Sequence, residues 1–530
     1  MSAFAHSRRI LLTSRRIPLF TPLILLLIFA LVFKYYTPTD TVSFISSFSS
    51  SQRIITSRPA TFESDGGFWP SFAPLLAAAA PRVEAPEVTE QVFTRHRPDP
   101  GSDYERQGNV LQWSDSAVAS MKGAHEWFLT QMRSNPPKLQ YTLNTRGIVT
   151  SGGGKYFPVL LVSLRMLRRT GSTLPVEIFL RNRDEYEELA CEVLFKDLGA
   201  KCVILSEFVG TSKIQFNFEH YQIKSFGLLF SSFEEILFLD ADNFPVYKPD
   251  DLFEAEVYKQ RGMVLWPDYW QCTSSPYFNQ VTGLDENALQ DRPTIETGQM
   301  LVDKKKHADT LSLAGYYNAY GDKYFYRLLS QGGAGEGDKE TFAAAALVLN
   351  NSFYTMSERP RPFGGGGEGP PVLQSNLAED WLVSLENPNR DGKAPAATPF
   401  FVHASWPPKL NPKYIQRSER MWGPGVESEK TFGEDLELTV WSIMVDMACE
   451  DNVQFADWGD KEHGGLEEGV SICDQTLKNF QDMFPPVTED HQIEEESDRG
   501  ESNDTEESGR GGSNDTEESG GGETNDTEQQ

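Results

Sequence analysis

An α/β chain organised on a mainly parallel, doubly wound sheet is the fold class the sequence predicts, and two observations predict it. Between Gly147 and Asp242, short apolar runs alternate with segments of helical periodicity, the pattern of strands joined by crossover helices. The last of these runs, Ile236-Leu237-Phe238-Leu239, carries no charge and stops at Asp240-Ala241-Asp242. That is how a strand buried on both faces reads when it ends at the edge where open α/β sheets gather ligands.

Taken in order, the chain opens with Arg8, Arg9, Arg15 and Arg16, followed by 17 uncharged residues from Ile17 to Phe33 and then Lys34. As a helix that run spans about 25 Å, enough for a thin secretory-pathway bilayer. It exceeds the usual core of a cleaved signal peptide, the rival reading, and no small-x-small site follows it. The arginines place the amino terminus in the cytosol, giving a type II topology. The expected organisation is a cytosolic tail (1–16), a signal anchor (17–34), a Ser/Pro/Ala-rich stem (35–100), a lumenal domain (101–485) and an acidic tail (486–530).

Within the domain, SDSAVASMKGAHEWFLTQM reads as a helix, RGIVTS as a strand, YFPVLLVSLRMLRR as a helix and PVEIFLR as a strand. DEYEELACEVLFKDLG, AKCVILS, HYQIKSFGLLFSSF and EEILFLDAD then continue as helix, strand, helix and strand, with Asn243 to Pro245 turning the chain away. Later segments, GMVLWPDYW, IETGQMLVDKKKH, GEGDKETFAAAALVL and PFFVHASWPPKLNP, each set polar groups beside a strand or helix start, and RPRPFGGGGEGPP is a loop by composition.

The net charge is −29, and the segment from Glu489 to Gln530 contributes −14 of it, with 16 acidic residues against two arginines. No basic stripe marks a nucleic-acid binder. In the tail, Asn503, Asn514 and Asn525 begin sequons eleven residues apart, and Asn350 begins a fourth; they matter in a lumenal chain. The five cysteines have no metal-binding spacing. In an oxidising compartment Cys191 can pair with Cys202 and Cys449 with Cys473, leaving Cys272, although spacing alone does not fix connectivity.

Asp240 and Asp242 are the candidate centre, since two carboxylates separated by one residue at a strand end can share a divalent cation that carries a diphosphate. An Asp-x-Asp triplet also arises by chance in a chain with 77 acidic residues, so the preceding buried strand is what gives it weight. Gly152 to Lys155 can let the backbone approach a nucleotide but fits neither phosphate-loop fingerprint. Trp266 and Trp270 read as core before they read as a sugar-stacking surface.

LFLDADNF, IETGQMLVDK, GDKETF and FVHASWPPKLNP, in that order over roughly 147–412, resemble the fungal Golgi α-mannosyltransferases of glycosyltransferase family 71, which extend and branch mannan and N-glycan outer chains. The resemblance implies a GT-A-like fold and retaining transfer of mannose from GDP-mannose to a mannose-terminated glycan, with Mn²⁺ as cofactor. It implies a Golgi membrane location, α-1,2 linkage ahead of α-1,3, and a place beside other Golgi mannosyltransferases. Carried over, Asp240, Asp242 and His403 are the metal ligands. Glu296 and Asp338 hold sugar hydroxyls or steady a cationic centre, with helix N-cap as the alternative for Asp338. Gly152, Lys155, Lys224, Gly298 and Lys339 face the donor. ETGQ stands where many members have ESGQ. Two rivals are weighed: a phosphatase of the haloacid dehalogenase type, against which Phe244 and the late strand position argue, and a catalytically silent mannan-binding or scaffold protein.

Overall fold

The computed structural model describes residues 67–93, 95–96, 104–210, 214, 216–364, 370–386, 396–405, 409–417, 419–450, 453–459 and 469–485. The expected anchor at 17–34, the stem up to 66, most of the glycine run at 365–369, Trp406 to Pro408 and the acidic tail lie outside them. Among the described residues no helix is long and apolar enough to cross a membrane.

The alternation read from the sequence is largely present. Strands β1 (Thr142–Ser151), β2 (Val176–Leu180), β3 (Ala200–Ile204) and β4 (Phe233–Leu239) are followed by β5 (Asn243–Pro245), β6 (Met263–Pro267), β7 (Ile295–Asp303) and β8 (Tyr354–Thr355). Then come β9 (Arg361–Pro362), β10 (Val372–Ser375) and β11 (Pro399–His403). The main sheet has the order β8-β6-β7-β4-β1-β2-β3. Every neighbouring pair in it is parallel except those of β7, which runs antiparallel to β4 and to β6. The fold is therefore α/β with a mixed sheet.

The sheet is mainly parallel as expected, and its single reversal matters for the site. Because β7 runs backwards, its first residues lie at the edge where β4 and β6 end: Leu239 pairs with Gln299 and Pro267 with Ile295. The ladder continues one step further, as Asp240 N donates to Gly298 O at 2.9 Å.

A correction concerns Asn243–Pro245, expected as a turn. These residues are β5, the edge of a smaller antiparallel sheet ordered β9-β10-β11-β5. In it Asn243 pairs with His403, and Ala404 N donates to Asp242 O at 2.9 Å. Three residues ending in proline look like a turn, yet an edge strand tolerates proline.

Helices α1 (Phe68–Ala78), α2 (Asp115–Ser134), α3 (Tyr156–Arg169) and α4 (Gln222–Phe230) pack around the main sheet with α5 (Ala308–Ala319) and α6 (Thr341–Leu349). Ser114 caps α2 by accepting from Ala117 N at 3.2 Å, and every residue of α4 is buried. The helix expected over DEYEELACEVLFKDLG is present over 188–197, widened at Ala190–Leu194, and is preceded by a separate 3-10 turn at Arg183–Glu185. Ala190, Cys191 and Phe195 are buried there, and Cys191 is joined to Cys202 of β3. A second disulfide ties Cys449, at the end of α7 (Leu436–Cys449), to Cys473 in α8 (Ile472–Met483). Cys272 is a buried free thiol. Loops of 11 and 24 residues closed in this way contribute about 3 kcal/mol each.

The assignment of residues 35–100 to a stem fails over α1, which packs as part of the domain. Phe68 stacks on Phe72 at 4.8 Å between centroids, Trp69 lies 6.1 Å from Phe226 and 6.0 Å from Phe230 of α4, and Phe72 meets Phe128 of α2 at 6.2 Å. Alanine and proline around these aromatics hid an apolar face that is fully covered. Trp69→Ala is therefore expected to destabilise the domain by about 3–5 kcal/mol. Denaturant unfolding reads this, and a loss below 1 kcal/mol would return α1 to the stem.

Candidate active site

Asp240 follows β4, Asp242 precedes β5, His403 ends β11, and Glu296 to Gly298 open β7. The two sheets thus bring three distant stretches of sequence to one edge. One ligand atom from each of Asp240, Asp242 and His403 lies within 4.8 Å of the others. Asp242 and His403 are 2 % and 8 % exposed.

Each carboxylate here has a cationic neighbour. His403 Nε2 is 3.1 Å from Asp242 Oδ1, and Lys409 Nζ donates to Asp242 Oδ2. Lys224 Nζ, reaching from α4, is 3.2 Å from Asp240 Oδ1 and 3.4 Å from Asp338 Oδ2, and it also donates to Thr297 O at 2.9 Å and Thr297 Oγ1 at 3.0 Å. His403 Nδ1 is 2.8 Å from Glu296 Oε1. Glu296 accepts further from Gly298 N (2.7 Å), Gln299 Nε2 (2.7 Å) and Gln374 Nε2 (3.0 Å).

Burial pushes the Asp242 carboxyl up, but His403 and Lys409 outweigh it and hold the group well below the usual carboxylate range. The Asp240 carboxyl is raised, because burial outweighs the help of Lys224 and the neighbouring Asp242 adds to it. Asp338 is pushed up to about 6 by burial, which Lys224 offsets in part. Glu296 ends at about 2, burial being overcome by His403 and by its hydrogen bonds.

Other expected residues are placed as follows. Asp338 does not cap α6; the residue before that helix is Glu340, and Asp338 turns its carboxylate to Lys224 instead. Gly152 follows β1 with its N–H on Phe179 O at 3.2 Å. It leads into Gly153 and Gly154, whose φ of +122° and +52° glycine accommodates without strain. Lys155 is exposed beside Tyr156, and its carbonyl accepts from Asn411 Nδ2 at 3.0 Å. Lys339, expected at the donor, pairs with Asp268 Oδ2 at 2.8 Å and Ala334 O at 2.9 Å, apart from the aspartate pair. Trp266 is core, its indole N–H on Ser375 O at 3.0 Å, whereas Trp270 is half-buried against His96.

Lys409 was missed although it lies within FVHASWPPKLNP, because a lysine after two prolines reads as a surface loop. Gln374 was missed because the strand VLQS carries no chemical signal of its own. Asp268 escaped as one more acidic residue after a strand.

The family model described as "Mannosyltransferase putative" matches residues 145–292 and 287–374. Alpha-1,2-mannosyltransferase MNN21 of Candida albicans is 31% identical over 450 residues, 70% of this chain and 66% of the relative. MNN24 of the same organism is 36% identical over 370 residues, 56% of this chain and 52% of the relative. The chain thus spans just under two thirds and about half of these two relatives. Alpha-1,2-mannosyltransferase MNN5 of Saccharomyces cerevisiae is 32% identical over 445 residues, 66% of this chain and 75% of the relative. The crystal structure of the glycosyltransferase GlyE of Streptococcus pneumoniae shows 12% identity and a TM-score of 0.31, covering 58% of this chain and 61% of that one.

Asp338 yields a pH prediction. Its carboxyl binds a proton more tightly folded than unfolded, so its contribution to stability is fully present below about 3.8, is lost as pH rises, and is gone above about 6. Asp338→Asn should therefore gain stability relative to the parent as pH rises from 4 to 7. Thermal unfolding of both proteins across that range reads the difference, and a constant gap would show that Asp338 is ionised throughout.

Proposed function

This chain belongs to the mannosyltransferase family of the fungal α-1,2-mannosyltransferases, and on that premise we propose that it transfers mannose from GDP-mannose to a mannose-terminated glycan through an α-1,2 bond, with retention of configuration. The observation that carries the reading is the convergence of Asp240, Asp242 and His403 on one sheet edge. Two carboxylates and an imidazole suit Mn²⁺, and Asp240, Asp242 and His403 would hold it. The ion would neutralise charge developing on the departing diphosphate. The same pattern of strand, aspartate pair and later histidine supports a GT-A-like fold.

The chain's own residues do the rest. Lys224 favours ionised Asp240, and the burial of the group keeps water from the donor. Lys409, 5.4 Å from the centroid of the Tyr156 ring, adds positive charge where the diphosphate would lie. Asp338 has Lys224 as its cation, while its Oδ2 accepts no hydrogen bond from the protein, so it is free to accept a hydroxyl of the donor sugar. Lys155 and Gly152 border the same edge.

The phosphatase alternative needs its first aspartate on the first strand, whereas β4 is the fourth strand of the main sheet in chain order and Asp240 is tied to Lys224. Two disulfides fit an oxidising lumen, in line with a type II protein of the Golgi membrane, anchored by residues 17–34 and placed near other mannosyltransferases. Added protease should digest the carboxyl-terminal part only after sealed vesicles are opened by detergent. Digestion without detergent would reverse the topology.

Transfer should stop on chelation and return with Mn²⁺. Asp242→Asn should lower turnover at least about 100-fold, or about 2.7 kcal/mol, in a variant that still folds but is less stable, since Lys409 loses its buried carboxylate. Radiolabelled transfer to mannose oligomers followed by linkage analysis measures this. Parent rates in the Asn variant, or a folded parent that neither transfers mannose nor hydrolyses GDP-mannose, would favour the silent scaffold.

A further inference from the structure

We infer that Glu296 is a positioning residue rather than a contact for the sugar: its carboxylate fixes the His403 imidazole so that Nε2 is turned to the aspartate pair. The inference rests on the reading of His403 as a metal ligand.

The argument starts from what Glu296 has left to offer. An ionised carboxylate has about four acceptor sites. Oε1 meets Gly298 N and His403 Nδ1, and Oε2 meets Gln299 Nε2 and Gln374 Nε2, at distances from 2.7 to 3.0 Å. Three of these donate hydrogen bonds and the imidazole stands in ion-pair contact on the remaining side, so a sugar hydroxyl would have to displace the ring to reach the group. Asp338, by contrast, keeps an oxygen that accepts no hydrogen bond.

Both amides that hold Glu296 are themselves oriented. Asn243 Nδ2 donates to Gln299 Oε1 at 2.6 Å, which turns the Gln299 NH₂ toward Glu296. Gln374 Nε2 donates also to Pro267 O at 2.9 Å. Asn243, Gln299 and Gln374 are at most 1 % exposed, so the NH₂ groups of these amides have no water to fall back on and keep the acceptors named. Gly298 completes the fit, since a Cβ there would stand 2.2 Å from Glu296 Oε1 and 2.6 Å from His403 Nδ1. The ring can lie against the carboxylate because that side chain is missing.

A carboxylate on one ring nitrogen selects the tautomer and aims the other nitrogen, and loss of such a partner typically weakens metal binding 10- to 100-fold. This arrangement also explains why a carboxylate, and not a smaller polar group, opens β7: only it can accept from an imidazole and two amides together.

The test is Mn²⁺ binding by the full chain, read from the paramagnetic resonance of free Mn²⁺, for the parent, Glu296→Gln and Gln374→Leu. Glu296→Gln should bind Mn²⁺ about 10- to 100-fold more weakly, with acceptor KM unchanged and kcat near parental at saturating Mn²⁺. Gln374→Leu should shift affinity in the same direction by less, and it decides the matter alone if Glu296→Gln fails to fold. Parental affinity in the folded variants would overturn the positioning role, and a collapse of kcat with parental affinity would make Glu296 a sugar contact. A parent that binds no Mn²⁺ would overturn the metal reading and this role with it.

Discussion

Burying carboxylates at a sheet edge is the constraint on which the site depends. An isolated ionised carboxylate taken out of water costs several kcal/mol even after relaxation, and removing one member of a buried pair typically costs 3–5 kcal/mol. Asp240 meets Lys224, Asp242 meets Lys409 and His403, Glu296 meets His403, and Asp268 meets Lys339. The cations come from α4, from the segment after β11 and from the approach to α6. The charges at this edge therefore hold distant parts of the chain in one arrangement, besides preparing it for a ligand.

The reversal of β7 delivers those partners. Had β7 run parallel, its start would lie at the far end of the sheet, and Glu296 and Gly298 would be a strand length away from Asp240. Pairing β5 with β11 then brings in His403. The site is thus a product of two antiparallel joints inserted into a parallel frame, and neither joint is local in sequence.

This explains which parts were legible. The strand before Asp240 could be read because a buried strand in a parallel sheet is an uninterrupted apolar run, and Asp240, Asp242 and His403 stood at the ends of such runs. Strand direction could not be read, because GQMLV within β7 looks the same in either sense when both faces are covered. The Asn243–Pro245 strand was too short for periodicity. The burial of α1 depended on phenylalanines and tryptophan that find their partners in α2 and α4, information absent from the helix itself. Lys409 and Gln374 belong to the site only through tertiary contact, so no local pattern marks them.

Charge counting gives the edge its chemical sense. Around the aspartate pair, Asp240, Asp242, Glu296 and Asp338 supply four negative charges when ionised, and Lys224 and Lys409 supply two positive ones. Against the pull of burial, Glu296 and Asp242 hold the pKa of the His403 imidazole well above its ordinary value in the free protein; were it neutral, as ligation of an ion would require, two negative charges would be left over. A monovalent ion would leave one of them uncompensated in a buried place, while a divalent ion balances both. Were Asp242 to ligate such an ion, the ammonium of Lys409 would no longer need that carboxylate and could turn to an anionic substrate group at the same mouth. On the proposed reading, the pairing that stabilises the free protein and a pairing with a diphosphate would use the same lysine, so the electrostatic cost of binding would be small because the cation is already in place.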